Sequence, residues 1–360
     1  MKALVYEGPT KKSWKLVDKP TIEKPTDAII KIESTTICGT DLHILKGDVP
    51  EVEEGTILGH EGIGYIEEVG SSVKNFKKGD KVIISCITSC GNCTYCKRDI
   101  QAHCNDGGWI LGHNINGTQS EFVRIPHADY SLINAPKDVK NEALLMLSDI
   151  LPTGNEVGAI CSKIEEGDIV AIIGCGPVGI AALLAAEVYK PRAIIMVDMD
   201  EERLKIAKET FGATHSINPV ELKKQGIKFT DAIKKITEEF KEERPGLKDG
   251  VDAAIECVGI PQTFDMCQQI IAPGGRIANV GVHGAKVDLQ LQDLWIKNIT
   301  ISTGLVSAYS TKTLLKNIED GELKPEKLVT HEFKLNDIEN AYHTFSNAAT
   351  EKCIKVILNN

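Results

Sequence analysis

At 360 residues the chain is too long for one ordinary domain, and two is the natural count. Its 51 acidic residues outnumber 41 basic ones, and the net charge of −10 excludes a nucleic-acid or anionic-membrane surface built on clustered Lys and Arg. Hydrophobic residues make up 42%, enough for substantial cores, yet no apolar run is long enough to span a bilayer. The opening MKALVYEGPTKKSWKL alternates like a strand and lacks the apolar stretch of a signal peptide. Without an export signal the eleven cysteines read as thiols and metal ligands rather than disulfides, and a cytoplasmic protein is expected.

Residues 1–150 are rich in Gly, Pro and short β-branched runs: AIIKIEST, GIGYIEEVG, DKVIIS and SEFVRIP. These predict short strands joined by turns, a mostly β domain. Within it the cysteines fall into two patterns. Cys38 stands alone, 22 residues before the pair His60-Glu61. A lone cysteine with a distant histidine and a carboxylate describes a mixed-ligand site that can leave a position open for chemistry. Cys90, Cys93, Cys96 and Cys104 instead form C-x2-C-x2-C-x7-C, spacing that folds a small lobe around one ion. The bacterial iron–sulfur run has three residues before its fourth cysteine and a proline after it, whereas here there are seven and Asn105 follows. A zinc held by four thiolates fits better, with a structural role. His103 lies beside Cys104, but four sulfurs already fill a tetrahedron. A nucleic-acid-binding zinc lobe would need a basic face, and only Lys97 and Arg98 offer one, with Asp99 immediately after.

Near residue 150 the texture changes. EEGDIVAIIGCGPVGIAALLAAEVYK reads as a buried strand (169–173), a glycine turn and an apolar helix. AIIMVD follows as a second buried strand and ERLKIAKETFG as an amphipathic helix ending at a glycine. VDAAIECVG, TFDMCQQIIAPGG and RIANVGV continue the alternation, so residues 151–294 predict βαβ units and a doubly wound parallel sheet. The charged DAIKKITEEFKEERPGLKDG reads as a solvated helix and loop. Residues 295–360 complete this domain and return to the first one, ending in the strand CIKVILNN. The α/β domain is thus inserted in the β domain.

Gly174-Cys175-Gly176-Pro177-Val178-Gly179 is GxGxxG, following a buried strand and opening a helix. The first glycine allows a tight turn, the second lets backbone approach a pyrophosphate, and the third permits close helix–strand packing. The helix N-terminus then faces the phosphates, and Pro177 suits its first turn. Asp198, at the end of the second strand, can bind both adenosine ribose hydroxyls and would repel a 2′-phosphate. Met199 and Asp200 add no basic group, although Arg203 lies one helical turn on. NAD is therefore expected over NADP.

Taken together, CGTDxH at Cys38–His43, GHE-x2-G-x5-G-x2-V from Gly59 to Val73, the four-cysteine lobe, SDILPTG (148–154) and GxGxxG appear in an informative order. Over essentially the whole chain they resemble the zinc-containing alcohol dehydrogenases of the medium-chain dehydrogenase/reductase superfamily. The resemblance implies a Rossmann domain inserted in a GroES-like catalytic domain and two zinc ions per subunit. Catalytic zinc ligands are implied at Cys38 and His60, with Asp149 where many members carry a third cysteine. It implies that Glu61 lies next to the metal and that Asp41 orients the ligand histidine. Thr40 would take the alcohol proton and His43 would pass it to solvent. Lys355 stands where relatives carry an arginine near the coenzyme phosphates. Trp109, Ile87 and Trp295 are candidates for the substrate pocket, with a core role open for each.

The implied reaction is reversible hydride transfer between small primary or secondary alcohols and NAD, giving aldehydes or ketones. A polyol, butanediol or threonine-type dehydrogenase is the alternative, threonine being less favoured because no charged residue in the presumed pocket demands an amino acid. A non-catalytic zinc- and nucleotide-binding relative would have lost Cys38, His60 or Asp149. Proteins of this length in the family are usually homo-oligomers, here expected as a tetramer before a dimer. NITISTGLV is the candidate edge strand for pairing.

Overall fold

The computed structural model describes residues 1–243, 246 and 249–360. The chain forms two compact units, Met1–Pro152 with Val306–Asn360, and Thr153–Leu305. The first unit opens with the antiparallel hairpin β1 (Lys2–Tyr6) and β2 (Lys12–Leu16). β3 (Ala28–Thr35), helix α1 (Gly39–Lys46), β4 (Gly62–Val69), β5 (Lys81–Ile84), β6 (Phe122–Ile125) and β7 (Leu132–Asn134) follow. β3 pairs antiparallel with β4 and β6, placing the buried Ile30, Ile32, Ile66, Val82, Ile84 and Val123 in one cluster. Each such side chain contributes about 1.5–3 kcal/mol on leaving water.

The second unit holds β8 (Ile169–Ile173), α2 (Pro177–Glu187), β9 (Ala193–Val197), α3 (Glu201–Glu209) and β10 (His215–Ile217). It continues with β11 (Val251–Glu256), α4 (Pro261–Ile270), β12 (Ile271–Asn279) and β13 (Thr300–Thr303). All six strands run parallel in the order β10-β9-β8-β11-β12-β13. Every residue of β8 and β9 is buried, as the continuous apolar runs require when helices cover both faces. Strand order reverses direction between β8 and β11, and an open α/β sheet binds its ligand outside the carboxyl ends of the strands at such a point. β13 belongs to this sheet, so the unit extends to Leu305.

The chain then rejoins the first unit through β14 (Val329–Lys334) and β15 (Lys355–Asn359). β15 pairs antiparallel with the end of β3, opposing Leu358 to Thr35, which brings the C-terminal strand beside the turn leading to α1. Of the charged segment 231–250, the helix Phe229–Glu238 turns Ile233 and Thr237 inward, while residues 244, 245, 247 and 248 lie outside the described residues. No helix among the described residues is long and apolar enough to cross a membrane.

Candidate metal centres and coenzyme loop

Cys38, His60, Glu61 and Asp149 converge in the first unit, with one ligand atom from each within 4.8 Å of the others. Asp149 Oδ2 lies 3.8 Å from Cys38 Sγ and 3.3 Å from His60 Nε2. Three local devices bring them together. Cys38 caps α1, its N–H donating to Asp41 Oδ2 at 2.8 Å. His60 and Glu61 immediately precede β4, where the Glu61 carbonyl accepts from Thr35 Oγ1 at 2.7 Å and Thr118 Oγ1 at 2.8 Å. Ser148 straps the Asp149 segment to the same strand, its hydroxyl accepting from Gly62 N and donating to Gly62 O.

The donor set suits zinc: a sulfur, an imidazole and carboxylates. Asp41, Glu61 and Asp149 bring acidic groups to the cluster, and Glu61 Oε2 is buried without a hydrogen bond. Burial penalises a charged His60, yet hydrogen bonds and charge from Asp149 and Cys38 override it and carry the imidazole pKa well above its ordinary value. Such a pocket attracts a cation, and buried carboxylates need one.

One cation is already present, and it corrects an expectation. Lys355 was expected near coenzyme phosphates. Its ammonium is 1% exposed and is committed to Glu61 Oε1 at 2.7 Å and the Ile37 carbonyl at 3.1 Å. Burial lowers the pKa of this lysine, but Glu61, with Cys38 and Asp149, more than reverses that and holds it above the usual range. A sealed ammonium needs its carboxylate, so Lys355 belongs to the metal cluster. Asp41 also has partners other than those expected: Cys38 N and Gln119 Nε2, while it acts on His60 through its charge. Gln119 was missed in the sequence. Its amide donates to Asp41 and Thr36 O and accepts from Tyr342 Oη at 2.8 Å, links no local spacing could signal.

Thr40 Oγ1 is 3.8 Å from Cys38 Sγ. His43, one turn along α1, is exposed and its Nδ1 meets Asp48 Oδ2 at 2.8 Å. Trp109 stacks on His113 with centroids 4.4 Å apart. Ile87 is buried and lines a cleft of about 340 Å³ that also touches Cys96 and Ser307. Trp295, for which a pocket or a core role was open, is no core residue: it is 72% exposed, beside the exposed Leu291 and Ile296.

The four cysteines of the lobe also place their sulfurs within 4.8 Å of one another. Backbone amides point at the sulfurs: Cys104 Sγ accepts from Cys90 N at 3.2 Å, and Cys93 Sγ from Cys96 N at 3.5 Å. The Cys96 N–H helps pull the Cys93 thiol down to about 6, whereas burial drives Cys96 up to about 12. Crowded sulfurs cannot all ionise without a cation. His103 packs against Tyr95 instead. None of the eleven cysteines forms a disulfide.

In the second unit the three glycines of the loop do separate work. Gly174 adopts φ +107°, closed to most side chains, and its N–H donates to Val197 O. A Cβ on Gly179 would sit 1.9 Å from Gly174 O, whereas one on Gly176 would meet nothing within 4 Å. Pro177 and Val178 open α2 directly above this loop. Gly179→Ala should therefore lower stability by about 1–3 kcal/mol. Gly176→Ala should melt like the wild type, and any stabilisation by a dinucleotide should be lost, a contrast read in thermal melts with and without NADH or NADPH. Asp198 accepts from Cys175 N at 2.6 Å and Asp200 N at 2.9 Å, which uses two of the four or so acceptor positions on its carboxylate. Asp200 caps α3, and Arg203 is held 3.9 Å from it.

Residues 24–137 match the model of the alcohol dehydrogenase GroES-like domain, and residues 177–320 that of the zinc-binding dehydrogenases. An alcohol dehydrogenase of Cupriavidus necator is 34% identical over 96% of this chain and 95% of its own length. An L-threonine 3-dehydrogenase of Shewanella baltica is 29% identical over 98% of this chain and 99% of its own. The solved structure of zinc-dependent alcohol dehydrogenase 2 from Streptococcus pneumonia, in its apo form, is 54% identical, with a TM-score of 0.92 over 100% of this chain and 98% of that one. With both conserved-domain matches, this identity and the two cysteine-containing clusters in place, the chain belongs to the zinc-containing alcohol dehydrogenases of the medium-chain dehydrogenase/reductase superfamily.

Proposed function

We propose that the protein is a zinc- and NAD-dependent dehydrogenase that interconverts small primary or secondary alcohols with their aldehydes or ketones. The observation that carries this reading is the convergence of Cys38, His60, Glu61 and Asp149 around a buried carboxylate oxygen that lacks a partner. Cys38, His60 and Asp149 would hold the catalytic metal, with Glu61 as a further donor, and Cys90, Cys93, Cys96 and Cys104 would hold a structural one. Zinc bound at the open site supplies a Lewis acid for the substrate oxygen, and NAD at the glycine loop supplies the hydride acceptor.

The remaining work falls to side chains of this chain. Thr40, beside Cys38, takes the hydroxyl proton at Oγ1, and His43 releases it to solvent from the same face of α1, where residues three apart are neighbours. Asp41 and Gln119 fix the turn that presents Cys38. Asp198 orients the adenosine ribose with the acceptor positions left by its two backbone bonds. Asp198→Gly should weaken NAD binding about 10- to 100-fold, the worth of hydrogen bonds to a charged group, and narrow the preference over NADP. Titration with both dinucleotides checks this, and a wild type that already prefers NADP would overturn the role of Asp198.

A polyol, butanediol or threonine-type substrate is the second reading, supported by the likeness to the L-threonine 3-dehydrogenase. Rates with a panel of alcohols, diols, ketones and threonine, using NAD and NADP, separate the two, and a metal count of two zinc ions per chain supports both centres. A homo-oligomer, tetramer before dimer, is supported by β13. Among the described residues it pairs with β12 alone, and its other edge lies close in sequence to the exposed Leu291, Trp295 and Ile296.

A further inference from the structure

Glu256 ends β11 and is fully buried. Its Oε1 accepts from Val258 N at 2.8 Å, Gly259 N at 2.9 Å and Thr263 Oγ1 at 2.6 Å, which shapes the loop into α4. Its Oε2 has no hydrogen bond and lies 3.3 Å from His283 Nε2. His283 follows β12, and its Nε2 is 2.7 Å from Asn279 Oδ1, while Asn279 Nδ2 donates to Gly281 O. Because Nδ2 is spent on that carbonyl, the Asn279 oxygen faces the ring and Nε2 carries a proton. His283 Nδ1 is buried without a partner, so only Nε2 orients the ring, with Phe264 of α4 edge-on at 6.2 Å. A Cβ on Gly281 would fall 2.3 Å from Glu256 Oε2, so that loop is drawn tightly onto the carboxylate. The Val280 and Gly281 amides donate to the Glu256 carbonyl at 2.8 and 3.1 Å, and the carboxylate–imidazole contact adds a side-chain tie between the loops that leave the carboxyl ends of β11 and β12.

The sheet order shows what those loops face. Asp198 ends β9 on one side of the β8 glycine loop, and β11 and β12 lie on the other. A dinucleotide laid across the point where strand order reverses places its second half over the β11–β12 side. We propose that Glu256 and His283 are positioning residues for the nicotinamide half of the coenzyme, holding the 257–260 and 280–284 loops in register beneath it. This rests on the NAD reading above. The pair does not touch substrate or carry a proton in the reaction. Removing His283 leaves a fully buried carboxylate oxygen with no facing group, and the loops, still joined by the Val280 and Gly281 amides on the Glu256 carbonyl, lose the side-chain contact that sets their register.

The test is titration of the full-length protein with NADH and with ADP-ribose, which lacks the nicotinamide. His283→Ala should weaken NADH about fivefold or more, in the range of couplings within one buried network, and leave ADP-ribose within about twofold. His283→Gln, which can return an N–H near the Nε2 position, should recover most of the NADH affinity. Glu256→Gln keeps the side-chain shape and should show the same split if His283→Ala fails to fold. Equal losses for both ligands, or unchanged NADH affinity, would overturn the assignment. A wild type that binds ADP-ribose and NADH no better than a Gly176-blocked variant would instead sink the coenzyme reading on which it stands.

Discussion

Cys38→Ser is expected to lower kcat/KM for alcohol oxidation by about 10³-fold or more and to leave the NADH dissociation constant within about twofold. The sulfur is one of three ligand atoms that meet at Asp149 Oδ2, and a neutral hydroxyl in its place is a poor partner for a thiophilic ion. The backbone should survive, since Cys38 N still donates to Asp41 and a serine hydroxyl can take over the side-chain half of the capping box. NADH binding should survive because the glycine loop and Asp198 belong to the other compact unit. Initial rates, NADH fluorescence titration and a metal count falling from two zinc ions per chain to one check the three parts. Turnover at the wild-type rate would remove Cys38 from the reaction.

The second large effect is on stability. Lys355→Met should destabilise the protein by about 3–5 kcal/mol, because it strips the counter-charge from Glu61 while both side chains are 1% exposed. The same change deletes the bond from Nζ to the Ile37 carbonyl, one residue before Cys38, so zinc should also bind more weakly. Replacing the pair together, Lys355→Met with Glu61→Leu, should restore much of the lost stability, since a buried ion pair is far costlier to break than to substitute with apolar groups. Urea unfolding of the single and double variants decides it. A loss below about 1 kcal/mol for Lys355→Met would mean that Glu61 is uncharged in the folded protein and that the pair is a neutral hydrogen bond.

Short-range patterns were readable in the chain itself. The run Ile169–Ile173 is a fully buried parallel strand as its unbroken apolar character requires, and GxGxxG follows it with a Gly179 that touches Gly174. C-x2-C-x2-C forces neighbouring sulfurs together because so few residues separate them. Lys355 was legible as a basic residue in a last strand, matched by resemblance to an arginine near coenzyme phosphates. Its true neighbour, Glu61, is 294 positions away, and no local pattern can express that. Trp295 is an aromatic that composition would place in a core or pocket, yet packing leaves it in solvent. Asp200 offered no more than the absence of a positive charge, while the structure makes it the cap of α3. Asp41 could be matched to a motif, but the motif does not say that Gln119, 78 positions on, would share its carboxylate.

Sequence alone determined the elements and motifs whose geometry lies within covalent reach: the strand–glycine turn–helix of the GxGxxG loop and the four-sulfur lobe. Only the tertiary structure decided that Cys38, His60 and Asp149, spread over 111 positions, meet around one point, and that Lys355 backs them. The reason is physical. Periodicity and spacing act over a few residues, whereas closing a loop of a hundred has an entropic cost met by the burial of whole strands, and the site exists where those strands end.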